Sequence, residues 1–314
     1  MRNLLLSAKR LKEWGAFLML GCFAWGTSFL WIKIAVGEIG PMALVTFRLF
    51  FGASAIWLFL WLKRFVIPHD LRAIGIMAFV GLINTAIPFT LISWGEVHID
   101  SGLAGILNGT VPLFTIIIAH LALHDDRISL PKIIGLLTGF AGLVLLLSKD
   151  LSKSGLSSDI LGQLAVVVAA VLYGTSSVVI RKFLKGYPPM LIAAVSMTSA
   201  LIFMALTAPW IDPNFRLPTQ PITWLAVVWL GLIGSALAYL MYFFLIQAWG
   251  PTRSTLVTYV MPAMAVILGT IFLGEQLTWQ LVVGGLLIIG GIAVVNVKPR
   301  RAEAPEQTPV TAKN

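Results

Sequence analysis

His120 and His124 stand four residues apart, one helical turn, and are followed at once by Asp125 and Asp126. Such a cluster is the part of this chain closest to a metal-ligand set, and a metal-activated water would be its chemistry. The remaining histidines, His69 and His98, form no second group, and no glutamate lies between the first pair. A hydrolase or hydroxylase centre needs more ligands than this, so the expected metal is none and the four residues read as a polar helix end. The single Cys22 excludes an intrachain disulfide framework. Phosphate-binding glycine loops, nucleophile elbows and ATPase motifs are missing too, so the sequence offers no catalytic residue and no cofactor.

Other polar residues are suited to holding a solute. In the first half these are Trp25, Thr27, Ser28, Asn84, Ser93, Asn108 and Thr110; in the second they are Tyr173, Thr175, Ser176, Tyr239, Thr255, Thr258 and Tyr259. All fall deep within apolar runs, where exposing them to hydrocarbon is costly. For a single serine or threonine a bond back to its own helix is explanation enough. The asparagines and aromatic residues carry the case for a binding role, and a small amphipathic solute suits them. Arg48 is the one charge clearly inside an apolar run. It stands about seven residues into the second run, on the order of 10 Å from its outer end at ~1.5 Å per residue. It could attract a carboxylate, or bond to helix-end carbonyls and snorkel outward; the second run is not expected to border the binding site. None of the 13 carboxylates falls at the centre of a run, Glu96, Asp125 and Glu275 all lying near the ends.

These residues must be positioned by membrane-spanning elements. With 58% apolar and 11% charged residues over 314 positions, the chain cannot build a charged exterior around a soluble core. Breakers divide it into ten spans, at 14–36, 41–62, 71–93, 99–123, 130–148, 159–181, 189–210, 220–247, 252–273 and 279–297. Continuous apolar runs indicate helices, which satisfy their own backbone in lipid, so the fold class is all-α. Residues 14–36 are long enough to span and lack a prompt cleavage signal, which favours an uncleaved first helix over a secretory signal.

The chain also repeats itself. Trp25-Gly26-Thr27-Ser28 recurs as Tyr173-Gly174-Thr175-Ser176, an offset of 148 that also carries Pro41 onto Pro189. Val111-Pro112-Leu113 matches Met261-Pro262-Ala263 at 150, and Gly135 and Gly142 fall on Gly284 and Gly291 at 149. Five helices per copy is an odd number, so the second copy enters the membrane from the opposite side, and two inverted halves suggest a transporter. The expected units are a cytoplasmic segment 1–13, a first repeat 14–148, a linker 149–158, a second repeat 159–297 and a disordered cytoplasmic tail 298–314. Placing both termini in the cytoplasm puts 17 lysines and arginines inside and four outside (Lys33, Lys149, Lys153, Arg216), with Arg48 set apart. The net charge of +9 then reports topology, and no nucleic-acid partner is expected. Pro112 and Pro262, at equivalent places, are candidate hinges. Glycines at helical spacing in the fifth and tenth spans suggest close helix packing and leave monomer and homodimer both open.

Trp25-Gly26-Thr27-Ser28, Phe47-Arg48, Asn108-Gly109-Thr110-Val111-Pro112-Leu113, the acidic ends Asp125 and Glu275, and the glycine-rich fifth and tenth spans together resemble the drug/metabolite transporter superfamily, specifically its duplicated EamA-domain permeases. The resemblance covers residues 14–297. His124-Asp125-Asp126 departs from it, since the family more often has a single glutamate after a small or apolar residue. It implies ten helices around a central cavity, an inner-membrane location, and efflux of amino acids or similar metabolites. Against this stand an integral-membrane enzyme, a non-transporting sensor and, among transporters, a drug or nucleotide-sugar exchanger. On a Cys22→Ala background, single cysteines placed beside Pro41 and beside Pro189 are expected to react with an impermeant reagent from opposite faces of the membrane. Reaction of both from one face would end the inverted reading.

Overall fold

The computed structural model describes residues 11–65, 70–123, 129–151, 158–249 and 257–295. These residues form helices and no strand. Eight are long and apolar enough to cross a membrane: α1 (Leu11–Val36), α2 (Pro41–Leu62), α3 (Leu71–His98), α4 (Ser101–Ala122), α5 (Leu130–Ser148), α6 (Asp159–Phe183), α7 (Pro189–Ile211) and α8 (Pro221–Tyr242). Two shorter apolar helices follow, α9 (Val260–Leu273) and α10 (Trp279–Val295). The ranges expected for these two, 252–273 and 279–297, run partly outside the described residues, as does the linker 149–158, and the C-terminal tail 298–314 lies wholly outside them. Further differences lie in α3, which continues five residues beyond its expected end at 93, and in α4, which is interrupted at Gly109–Thr110. Pro112 therefore occupies the first turn of a new helical segment, where its missing N–H costs little. Pro262 stands inside a continuous helix.

Matching helices of the two halves pair with each other, and they run antiparallel. A Cβ on Gly135 would fall 2.4 Å from the Gly291 carbonyl oxygen, and one on Gly142 2.6 Å from that of Gly284. Since 135 corresponds to 284 and 142 to 291, the contact is its own mirror under exchange of the halves. α4 and α9 cross in the same sense, Gly102 against Val266, Gly105 against Ala265 and Gly109 against Pro262. In α2 and α7, Trp57 Nε1 donates to Thr198 Oγ1 at 2.7 Å. The remaining contacts are exchanged in pairs. Gly231 on α8 lies against Arg48 and Phe51 of α2, and Gly81 on α3 lies against Ser196 and Ser199 of α7. Gly26 of α1 touches Met264 of α9, and Gly174 of α6 touches Phe114 and Thr115 of α4. Without a solvent-driven force between helices in lipid, such close backbone approach is what holds them.

Carboxylates close the helix ends across the two halves. Asp212 accepts from the Met42 and Ala43 N–H groups at the start of α2, at 3.0 and 3.2 Å. Glu275 accepts from Ser101 and Gly102 at the start of α4, at 2.7 and 2.9 Å. Glu38 accepts from the Thr219 and Gln220 N–H groups and the Thr219 hydroxyl at the start of α8. Each satisfies donors that a helix N-terminus leaves without partners, and each adds a favourable charge–dipole term. Gly274, at φ +69°, turns the chain after α9 to present Glu275. Asp70 caps its own helix α3 and accepts from the Tyr187 hydroxyl before α7.

The hydrogen bond from the Thr219 hydroxyl, with help from Thr223, holds the Glu38 carboxyl down at about 2, from an ordinary 4.5. A group depressed on folding stabilises above its unfolded value and loses that contribution as pH falls through the folded one. Glu38→Gln should therefore lower the melting temperature at neutral pH, and the gap from wild type should close between about pH 4.5 and about 2. Thermal unfolding in detergent across that range measures it.

Candidate functional site

Near its middle, α3 widens into a π-helical turn at Leu82–Ala86, and α8 does so at Leu232–Leu237. A π turn inserts a residue, rotates the side chains after it and loosens the carbonyls beside it, which is why such turns gather at functional places. The first presents Asn84. Its Oδ1 lies 2.6 Å from the Ser176 hydroxyl of α6, and its Nδ2 donates to the Tyr239 hydroxyl of α8 at 3.3 Å. Ser176 Oγ is also 2.9 Å from the Tyr173 carbonyl. The second π turn receives Arg48, whose Nε donates to Ser235 Oγ at 3.0 Å, with a longer approach of 3.4 Å to the Gly234 carbonyl. The guanidinium lies 3.9 Å over the Phe89 ring. It is within electrostatic reach of the Tyr173 and Tyr239 hydroxyls.

Arg48 is thus 5% exposed and turned into the bundle, and α2 forms one wall of the polar cluster. This corrects the expectation that the second span stands apart from the site. Gly231, whose Cβ would fall 2.5 Å from Phe51 Cβ, lets α2 press against α8 and brings Arg48 to the π turn. Tyr173, Tyr239 and Asn84 are half-buried. One cation, two phenols and an amide gathered between helices can orient a small solute that carries a carboxylate.

The other sequence candidates are distributed around this centre. Thr27 Oγ1 bonds to the Phe23 carbonyl and accepts from Trp229 Nε1 at 3.1 Å. Ser28 is buried, bonds to the Ala24 carbonyl at 2.9 Å, and lies where Gly234 of the π turn approaches. Trp25 packs on Tyr242, ring centroids 5.4 Å apart. It belongs to a small cluster around Leu20 and Ala238, whereas Tyr173 packs on the main core. Thr110 and Thr175 bond to their own helices. The Asn108 carbonyl oxygen and the Ser93 hydroxyl are buried without a partner among the described residues. Thr258 and Tyr259 stand on the α9 segment Val257–Leu273, while Thr255, His124, Asp125 and Asp126 fall outside the described residues. His120 is exposed on α4, and the described residues hold no metal-binding group of three.

Two residues were passed over by sequence reasoning. Lys33, counted there only as an outer cation, donates to the Glu96 and Ile99 carbonyls at 2.6 and 2.7 Å, closing the end of α3. Glu96, discounted as near a helix end, is 0% exposed. α3 continues past it to His98, and Lys33 of α1 closes over that end of the helix. Only its acidic character within an otherwise apolar stretch could have marked it.

The sequence pattern of the EamA-like transporter family matches residues 13–148 and again 160–297. A probable terminal-alkyne amino-acid exporter of Streptantibioticus cattleyicolor is 25% identical over 293 residues, covering 91% of this chain and 95% of that protein. The uncharacterized transporter YoaV of Bacillus subtilis is 24% identical, with 88% and 95% covered. The uncharacterized inner membrane transporter YedA of Escherichia coli is 27% identical, with 81% of each covered. A solved crystal structure superposes with a TM-score of 0.67 at 21% identity, covering 93% of this chain and 99% of that one, a likeness of fold.

Asn84→Ala removes the acceptor of Ser176 and the donor to Tyr239 together. Losing a side-chain hydrogen bond costs about 0.5–1.5 kcal/mol, so a lowered melting temperature is expected. Asn84→Gln, which keeps both functions on a longer arm, should recover part of the loss in the same thermal measurement.

Proposed function

Because the chain belongs to the EamA-like transporter family, within the drug/metabolite transporter superfamily, we propose that it is a secondary transporter that exports amino acids or similar small metabolites by alternating access. In this reading ten helices span the inner membrane with both termini in the cytoplasm, as two inverted five-helix repeats, residues 14–148 and 159–297. The antiparallel pairing of equivalent helices supports it: identical topologies related by a two-fold axis in the membrane plane are the arrangement that opens one central site to either side. The positive-inside bias supports the orientation.

The observation that carries the site is the enclosed polar cluster of Arg48, Asn84, Tyr173, Ser176 and Tyr239 at the two π turns. Arg48 takes the cargo's carboxylate, the phenols and Asn84 orient its polar groups, and Trp25 with Ser28 and Thr27 lines the approach. Ser93 and Asn108 extend the lining. An amino-acid cargo agrees with the cation here, and the relative from Streptantibioticus cattleyicolor carries that cargo class in its name. Pro112 and Pro262 serve as hinges; Gly109, three residues before Pro112, packs against the Pro262 ring.

Counterflow of labelled amino acids into liposomes holding the purified protein tests this. Exchange is expected for a cargo bearing a carboxylate and no exchange for its amide; metal-dependent turnover without flux would replace the proposal with a membrane enzyme. Tyr173→Ala should raise the half-saturating concentration roughly tenfold or more, equivalent to about 1.4 kcal/mol, and Trp25→Ala should slow exchange, with insertion intact. Unchanged exchange in both removes these residues from the site.

A further inference from the structure

Glu96 is wholly buried, and neither carboxyl oxygen has a hydrogen-bond partner among the described residues. The nearest candidate to neutralise it, Lys33, instead spends its ammonium on the Glu96 and Ile99 backbone carbonyls. Glu275 makes the contrast plain. It too faces this region, from the turn after α9, and both of its oxygens accept backbone N–H groups at 2.7 and 2.9 Å. One acid is fully bonded as an acceptor, and its neighbour is bonded to nothing. An ionised carboxylate stripped of water and of donors costs several kcal/mol, whereas the same group carrying a proton does not. Two buried hydroxyls without partners among the described residues, Ser93 one turn earlier on α3 and Ser101 at the start of α4, stand ready to bond an acid O–H or pass its proton.

The surroundings of Glu96 are otherwise settled. α1 contributes Lys33, α2 Arg48 and the α9–α10 connection Glu275, all within electrostatic reach. α6 carries Asp159 and Gln163 on the turns flanking Gly162, and α3 itself carries His98. The described residues supply no group of three metal ligands, which favours a proton over a metal ion here.

We propose that Glu96 is a proton-binding site, and that its protonation changes the field the cargo meets at Arg48, whose guanidinium lies over Phe89, two turns before Glu96 on the same helix. The step is an O–H bond formed on Glu96 with a proton taken from water on the open side, and broken again when that side changes. With Glu96 neutral, the positive charge of Arg48 is not offset and holds a carboxylate more tightly. With Glu96 ionised it is offset. Proton and cargo then travel the same way, and outward flux runs on the cargo's own gradient. This rests on the transport reading above, and the experiment separates the two.

Infrared-monitored pH titration of the full-length protein in liposomes, without cargo, should show the carbonyl stretch of a protonated carboxylic acid. That band should shift in heavy water, vanish in Glu96→Gln and persist in Glu275→Gln. A band unchanged in Glu96→Gln, or none in the wild type at any pH, overturns the proposal. Should Glu96→Gln fail to assemble, Glu96→Asp must move the band, and an unmoved band refutes the site equally. Stabilisation by sodium chloride over choline chloride that Glu96→Gln abolishes would assign the carboxylate to a metal ion and also overturn it. In counterflow with labelled leucine, threonine or phenylalanine, wild-type exchange should fall at least threefold as pH is raised on both sides, and Glu96→Gln should respond less than half as much. Equal responses refute the link to Arg48. Absence of exchange with the titrating band intact counts against the transport reading and leaves the proton site standing.

Discussion

Backbone meets backbone between the two copies of the repeat, and every other feature of the fold is arranged around that approach. Gly135 on Gly291 and Gly142 on Gly284 leave less room than a single methyl group would occupy, and the same pair of contacts is returned when the halves are exchanged. In lipid, packing of this kind must do what burial from water does in a soluble protein. It also determines direction, because two helices that touch through corresponding residues in reverse order must be antiparallel. The carboxylates at the helix ends add a second tie of the same kind. Asp212 and Glu275 each lie where a glycine has no side chain, Gly40 and Gly269, and each closes a helix belonging to the other half.

The repeat was legible because it is written in residues that tolerate little substitution of size or shape. Gly26 and Gly174 are read from sequence as a copy, and the fold uses them alike, against Met264 of α9 and Phe114 and Thr115 of α4. Trp25, Asn84, Tyr173, Ser176 and Tyr239 were equally legible as polar or amphipathic residues in the wrong solvent. Their grouping was not. Nothing in the order of residues announces a π turn, and it is the added residue in α3 and α8 that turns Asn84 toward Ser176 and opens Gly234 to Arg48. Glu96 was discounted because distance from a helix end along the chain was taken as depth, whereas depth here follows from how the helices stack. Arg48 was legible as a charge inside its run; its neighbours were not, since they follow from the approach of α8 to α2 at Gly231.

Arg48 and Asn84 also show how duplication can yield an asymmetric site. The position equivalent to Arg48 is Ser196, which donates to the Met77 carbonyl at 2.9 Å, and the position equivalent to Asn84 is Gly234. The two-fold scaffold supplies two equivalent corners, of which one holds the charge of Arg48 beside Gly234 and the other the neutral pair Ser196 and Asn84.

Conformation departs from symmetry as well. Trp25-Gly26-Thr27-Ser28 sits where α1 passes from a π segment through a turn into a new helix, while its copy Tyr173-Gly174-Thr175-Ser176 lies in unbroken α-helix. α4 is interrupted at Gly109–Thr110 and α9 runs through Pro262. Nearly the same four residues therefore take two backbone arrangements in one molecule, and their surroundings differ in step: Gly26 meets Met264 on the unbroken α9, whereas Gly174 meets Phe114 and Thr115 just past the interruption of α4.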